Sequence, residues 1–262
     1  ENEKIREAFL VGARTSFTKN GLQFVKPPIV QVLPNQTIEQ VFQLINNNCP
    51  NPQLVILIID DRDDEYAKIK LYADKNYGII TQCLKYDKLN SQMRDDRKLD
   101  MYLSNVALKI NSKIGGTNNT VDFSNLKNLS LNQPKIKTEP IMFFGADVTN
   151  FGNGMDRNSI AAVVGSYDLN FAKYAVRLSE QKNSNENRQS QEIILELEEM
   201  SYLLMQTFKK NNGLPPKRII FFRDGVDSGQ FQKVLDHEVL AIKNACKRLN
   251  IDPKITMVIV QK

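Results

Sequence analysis

Pro140–Asp147 reads PIMFFGAD, and Lys217–Gly225 reads KRIIFFRDG. These two stretches decide the fold. Each is apolar at consecutive rather than alternating positions, the pattern of a strand covered on both faces in an α/β sheet. Each runs out into an aspartate, Asp147 in one and Asp224 in the other. In α/β sheets ligands gather at the C-terminal edge of the strands. If the two strands are neighbours, their carboxylates converge, and two close carboxylates repel until one takes up a proton. A divalent cation relieves that conflict, and oxygen-only ligands favour Mg²⁺ or Mn²⁺. Either aspartate also has a plainer reading. Asp-Gly is a common turn pair, and Asp147 can cap a loop. The sequence alone does not place the strands side by side.

Further apolar runs extend the pattern at Leu54–Ile59, Ile160–Val164, Tyr174–Leu178 and Ile255–Val260. Helical spacing marks Thr37–Asn46, Asp64–Lys75, Lys98–Lys113, Gln191–Lys209 and Gln230–Leu249. The last carries a stripe of Phe231, Leu235, Val239, Ile242 and Cys246. Asp63 or Asp64 is expected to cap the second helix. Gly115-Gly116 stops the third. Thr117–Glu139 is polar and rich in Asn and reads as a linker, and Asn183–Asn187 as a second polar loop. The expectation is two α/β domains, 1–130 and 131–262.

The 262 residues carry a net charge of +5 and a pI near 9.0, which permits a polyanionic partner without proving one. Cys49, Cys83 and Cys246 are scattered and form no C-x-x-C pair, which argues against a disulfide framework or a structural zinc site. An intracellular setting, cytoplasmic rather than nuclear, is expected. No apolar run approaches the ~18–20 residues of a membrane span, so no membrane partner is expected. The sequence does not begin with Met and stops on ITMVIVQK, a strand-like run. A longer parent chain is therefore expected.

The third helix carries a basic constellation. Leu99, Tyr102, Leu103, Val106 and Ile110 form an apolar stripe, with Lys113 inside it and Lys109 at its edge. A lysine aimed at a core needs a partner. One reading is snorkelling at the last helical turn, and the other is a half-buried anion site. Tyr66 and Lys70 are i, i+4 neighbours on the second helix, and Thr81-Gln82-Cys83 lies near the end of the next strand. Together these supply a hydroxyl, an amide and several ammonium donors, which suits a terminal phosphate. Tyr66 and Lys70 alone also fit a solvated face.

Two blocks then resemble one family. LVILIIDDRDDEYAKIKLYADKNYGIITQCL and LSNVALKINSKIGGTNN look like the MID domain of eukaryotic Argonautes. PIMFFGADVTN, SIAAVVGSYD, RQSQEIILEL and KRIIFFRDGVDSGQFQKVLDHEVLAIKNAC look like their PIWI domain over about Pro140–Lys262. The resemblance implies a Rossmann-like MID domain followed by a ribonuclease H-like PIWI domain, truncated on its C-terminal side. It implies that Tyr66, Lys70, Gln82, Lys109 and Lys113 grip the 5′ phosphate of a small guide RNA, with Tyr66 stacked on the first base. It also implies a metal-binding catalytic set of Asp147, Glu192 and Asp224, whose fourth member falls past Lys262. His237 does not match that member. Glu192 has its own plain reading, as an acid favoured at a helix start. The implied activity is cleavage of complementary target RNA with Mg²⁺ or Mn²⁺, alongside silencing-complex proteins. The alternatives are a guide-binding module that does not cut, and an unrelated ribonuclease H-like nuclease.

Overall fold

Short apolar runs become strands throughout, and caps and core stripes set the helices between them. The computed structural model describes residues 2–33, 36–60, 64–121, 139–149, 158–181, 193–225, 229 and 231–260. They divide into two α/β units, Glu1–Asn118 and Asn119–Lys262. The boundary expected at 130/131 lies outside the described residues.

The first unit opens with α1, Asn2–Lys19, a helix the sequence reading did not anticipate. Its buried residues Phe9, Ala13 and Phe17 pack on Leu99, Leu103, Val106 and Ile110 of α5, Asp96–Lys113. Gly12 permits that contact, because a β-carbon there would sit 2.9 Å from Leu103 Cδ1. α2, Ile38–Asn48, begins at Thr37 with a reciprocal cap. Gln40 N donates to Thr37 Oγ1 at 3.3 Å, and Thr37 N donates to Gln40 Oε1 at 3.0 Å. β1, Val55–Ile59, pairs in parallel with β2, Thr81–Lys85, in the register Ile56↔Gln82. Between them run α3, Glu65–Lys70, and a π-helical turn, Leu71–Tyr77. Phe42, Ile59, Ile69, Ala73 and Ile79 form the core beneath. α4, Tyr86–Gln92, was likewise unanticipated and buries Leu89.

One expectation is corrected here. Asp64 stands at the N-cap of α3 in the left-handed region, φ 57°, and makes no side-chain capping bond. Its carbonyl accepts Lys68 N at 3.0 Å instead. Asp63, the other candidate cap, lies outside the described residues.

The second unit is built on the strands β3 (Ile141–Thr149), β4 (Ser159–Ser166), β5 (Tyr174–Gln181), β6 (Arg218–Asp224) and β7 (Lys254–Val260). Their order across the sheet is β5-β4-β3-β6-β7. β3 is antiparallel to β4 and parallel to β6, and β6 is parallel to β7. This mixed order agrees with the ribonuclease H-like fold that the resemblance implies. α6, Leu197–Asn212, and α7, Phe231–Arg248, supply the core that covers one face, including Leu204, Phe208, Ile242 and Cys246 against Met142, Phe144, Ile219 and Phe221. The other face leaves Val164, Val176, Leu178, Phe222, Val258 and Val260 exposed.

The helix expected from Gln191 begins only at Leu197. The reason is tertiary. Ile194 N is taken by the Glu238 carboxylate at 3.3 Å and Leu195 N by Gln181 Oε1 at 2.7 Å, while Gln181 Nε2 donates to Ile193 O at 3.2 Å. These bonds occupy the backbone groups that another helical turn would need. Glu192 lies outside the described residues, as does the Asn183–Asn187 loop. The buried stripe of α7 is also rotated from expectation, to Val234, Glu238, Ile242, Ala245 and Cys246, with Leu235 exposed.

Candidate functional site

The first unit gathers a set of donors around the start of β2. The apolar contacts of Ile69 and Ala73 fix the helix that carries Lys70. The stripe Leu103–Ile110 fixes α5, which ends at Lys113, and Gly115 at φ 87° turns the chain away immediately after. Both lysines reach the first residues of β2. Lys70 Nζ donates to Thr81 Oγ1 at 2.6 Å and to Thr81 O at 3.1 Å. Lys113 Nζ donates to the same Thr81 O at 2.8 Å and to Gln82 Oε1 at 2.9 Å. Gln82 is buried and turns its Nε2 to Cys83 O at 2.9 Å, so its amide oxygen is aimed at Lys113.

This arrangement concentrates positive charge. Burial holds the Lys113 ammonium below its ordinary value of 10.5, and the Lys70 and Lys109 charges push the same way. The Cys83 thiol and the Asp74 carboxylate pull in the opposite direction. Lys113 is exposed overall, while its ammonium is tied to Thr81 O and Gln82 Oε1. The neighbouring Cys83 thiol is raised above its ordinary value by burial, against the opposing effect of Lys70 and Lys113. Lys109 sits one turn before Lys113 on α5 and is exposed.

Lys70 and Lys113 line a cavity of about 400 Å³ together with Asp74, Gly78, Ile79, Ile80 and Thr81. An ammonium carries three N–H donors. Among the described residues two on each lysine are engaged, which leaves capacity for an incoming oxygen. A second cavity of about 290 Å³ is lined by Ile59, Tyr66, Cys83 and Lys85. Tyr66 is 55% exposed, and Lys70 Nζ lies 5.9 Å from its ring centre. The ring is therefore open to a stacking partner, with a cation at its face. The structure thus brings Lys70, Gln82 and Lys113 into one bonded cluster, with Tyr66 beside it and Lys109 at its rim. Thr81, whose carbonyl and hydroxyl tie the lysines together, was given no role of its own from the sequence, and Thr81-Gln82-Cys83, expected near the end of a strand, instead opens β2.

In the second unit, β3 and β6 are parallel neighbours with Ala146 opposite Arg223, so Asp147 and Asp224 follow on adjacent strands. Asp147 is exposed, and its Oδ1 accepts Val148 N at 2.9 Å. Asp224 Oδ1 is buried and has no hydrogen-bond partner among the described residues. Gly225 follows at φ 77°, and a β-carbon there would lie 3.6 Å from Asp147 Oδ1, so the turn after β6 runs beside the Asp147 carboxylate. An unpartnered buried carboxylate oxygen beside a second carboxylate suits a hard cation. Among the described residues no three acidic, histidine or cysteine side chains converge, and Glu192 is not among those residues. His237 is exposed on α7.

Arg223 and Glu238 were missed by the sequence reading. Both are buried, at 1% and 0% exposure, and Arg223 Nε donates to Glu238 Oε1 at 3.1 Å. Arg223 Nη1 donates to Asp224 O. Glu238 was legible as an acid at the helical spacing of Val234 and Ile242.

Among the described residues no helix is long and apolar enough to cross a membrane. The Piwi domain family matches residues 53–262. Protein argonaute 5 of Arabidopsis thaliana is 37% identical over 264 residues, covering 92% of this chain and 25% of that protein. The chain thus spans a quarter of the length of this curated relative. The structure of Kluyveromyces polysporus Argonaute with a guide RNA matches with a TM-score of 0.80 at 25% identity, over 99% of this chain and 30% of that one. The MID-PIWI domains of N. crassa QDE-2 share the fold, with a TM-score of 0.72 at 22% identity, over 97% of this chain and 68% of theirs.

Proposed function

Since the chain belongs to the Argonaute family, as its Piwi-domain match over residues 53–262 shows, we propose that it is the guide-holding and target-cutting part of a longer protein. The unit Glu1–Asn118 is its MID domain and binds a small guide RNA by the 5′ phosphate. Lys70, Lys109 and Lys113 supply positive charge, Gln82 aims Lys113, and Tyr66 stacks on the first base. One observation carries this reading: Lys70 and Lys113 converge on a single carbonyl, Thr81 O, at 3.1 and 2.8 Å. Two like charges brought to one atom favour an anion between them, and a terminal phosphate offers several acceptor oxygens.

The unit Asn119–Lys262 is the PIWI domain, and its task is hydrolysis of target RNA paired to the guide. Asp147, Asp224 and Glu192 would hold Mg²⁺ or Mn²⁺. The unpartnered Asp224 Oδ1 and the adjacent Asp147 support that assignment. Bound there, divalent ions would supply a Lewis acid for the attacking water and for the leaving oxygen. The protein's own part is to hold the two carboxylates on adjacent strands, with Gly225 giving them room.

The test compares guides with and without a 5′ phosphate on the complete protein. Tight binding of the phosphorylated guide, weakened far more by Lys113→Glu than binding of the unphosphorylated one, supports the pocket. Equal affinity for both guides would remove it.

A further inference from the structure

Glu238 lies midway along α7 on a face otherwise apolar, between Val234 and Ile242, and none of it is exposed. Both of its oxygens accept Arg223 Nε, at 3.1 and 3.2 Å, and Oε1 also accepts Ile194 N at 3.3 Å. Arg223 carries the connection onward, donating through Nη1 to the carbonyl of Asp224. One buried carboxylate thus joins three pieces of chain: α7, the Asp224 end of β6, and the turn leading into α6. Ile194 in that turn follows Glu192 by two residues in the sequence.

A buried ion pair is a poor way to gain stability, since apolar side chains of similar volume often do as well or better. Its strength is geometric. Charge-assisted bonds to a planar guanidinium fix direction as well as distance. Burial raises the Glu238 carboxyl, and the Arg223 charge works against that rise and favours the ionised form.

We propose that Glu238 is a positioning residue for the carboxylate site: through Arg223 it fixes the Asp224 end of β6, and through Ile194 N it fixes the lead-in to α6. The divalent cation then meets carboxylates whose backbones are already set. Glu238 itself touches neither cation nor substrate. This inference rests on the reading of Asp147 and Asp224 as a cation site.

The test uses the complete guide-loaded protein as wild type, Glu238→Gln, the double variant Arg223→Met/Glu238→Leu, and Asp224→Asn as a control. Mn²⁺ affinity is measured by titration calorimetry without target, melting is followed separately, and target cleavage is then titrated with Mg²⁺. Outer-shell partners of a metal site are typically worth ~10–100-fold in affinity. Glu238→Gln is expected to weaken Mn²⁺ binding by that factor and to raise the Mg²⁺ requirement in parallel. The double variant replaces the ion pair with apolar side chains, so it is expected to melt at or above the wild-type temperature. It is nonetheless expected to keep the weak Mn²⁺ binding. Wild-type Mn²⁺ affinity in the double variant would overturn the proposal and leave the pair a packing feature. The double variant decides the matter if Glu238→Gln does not fold. A wild-type protein that binds Mn²⁺ through Asp224 but cuts no target would sink the cleavage reading alone, and the Mn²⁺ comparison would still decide the role of Glu238. A wild-type protein that takes no Mn²⁺ would overturn both.

Discussion

Lys70 and Lys113 donate to the same atom, the carbonyl oxygen of Thr81, from two helices that approach it from different parts of the sequence. Neither lysine has a carboxylate in hydrogen-bond contact among the described residues; Asp74 only lines the shared cavity. The protein holds two cations together on neutral acceptors, and this asymmetry is what an anionic ligand would resolve.

Reversing the charge of Lys113 should therefore act on the phosphate and not on the rest of the guide. A hydrogen bond to a charged group contributes about 1.5–3 kcal/mol, which corresponds to a loss of roughly 10- to 150-fold in affinity. Lys113→Glu should lose at least that for a 5′-phosphorylated guide in a fluorescence anisotropy titration. The same guide lacking the phosphate should bind nearly as it does to the wild type.

The pH dependence follows from the same ammonium. Burial and the nearby Lys70 charge hold Lys113 below 10.5 in the folded chain. Between the folded value and 10.5 the unfolded chain binds more protons, so this group's contribution to stability rises with pH in that window. Phosphate binding needs the charged form, so affinity for the phosphorylated guide should fall across the same window. It should also fall below about pH 6, where the phosphate loses its second charge. Anisotropy titrations from pH 5 to alkaline values would show a plateau with two shoulders. A flat profile identical to that of the unphosphorylated guide would contradict the assignment.

At the carboxylate pair, Asp147→Ala in the complete protein should abolish target cleavage and leave guide affinity unchanged. Asp224→Asn makes a different point. Asp224 Oδ1 is buried without a partner among the described residues, so the amide should not lower the melting temperature in chelator. The wild type should gain thermal stability on adding Mn²⁺, by mass action on the folded state. The variant should lose that gain, which differential scanning calorimetry reads directly.

Gly225 offers a backbone test. Its φ of 77° lies where a β-carbon is unfavourable by about 1–2 kcal/mol. The added methyl would stand 3.6 Å from Asp147 Oδ1, in contact with the carboxylate but not in collision with it. Gly225→Ala should therefore destabilise the second unit by that order in urea unfolding. It should also slow cleavage, because the turn that borders the pair must shift to relieve the strained φ.

The strands were legible because each apolar run is long enough to read, and several are closed by Gly or Asp, as at Asp60, Gly145 and Gly165. The adjacency of β3 and β6 was not, because pairing is a long-range property; only the matching ends, GAD and RDG, hinted at it. Lys113 was readable as a cation inside an apolar stripe, but its acceptor was not, since Thr81 and Gln82 lie on another element. The start of α6 was misread for an instructive reason. Propensity favours helix at Gln191–Glu196, yet Gln181 and Glu238 side chains capture the backbone groups of Ile193, Ile194 and Leu195. α1 escaped notice although Phe9, Ala13 and Phe17 recur every four residues, because its remaining positions are polar and its stripe is narrow. Glu238 was hidden by reading the α7 stripe about one residue out of phase, which placed an acid on the wet side.

The uncovered side of the second sheet, with Val176 at 49%, Leu178 at 67% and Val260 at 43% exposure, bears on the bench more than on the chemistry. Taken alone, the described residues present water with a row of apolar side chains across this sheet face. A preparation of the bare polypeptide should cling to hydrophobic resins, bind ANS while still folded, and come out of solution as ammonium sulfate rises.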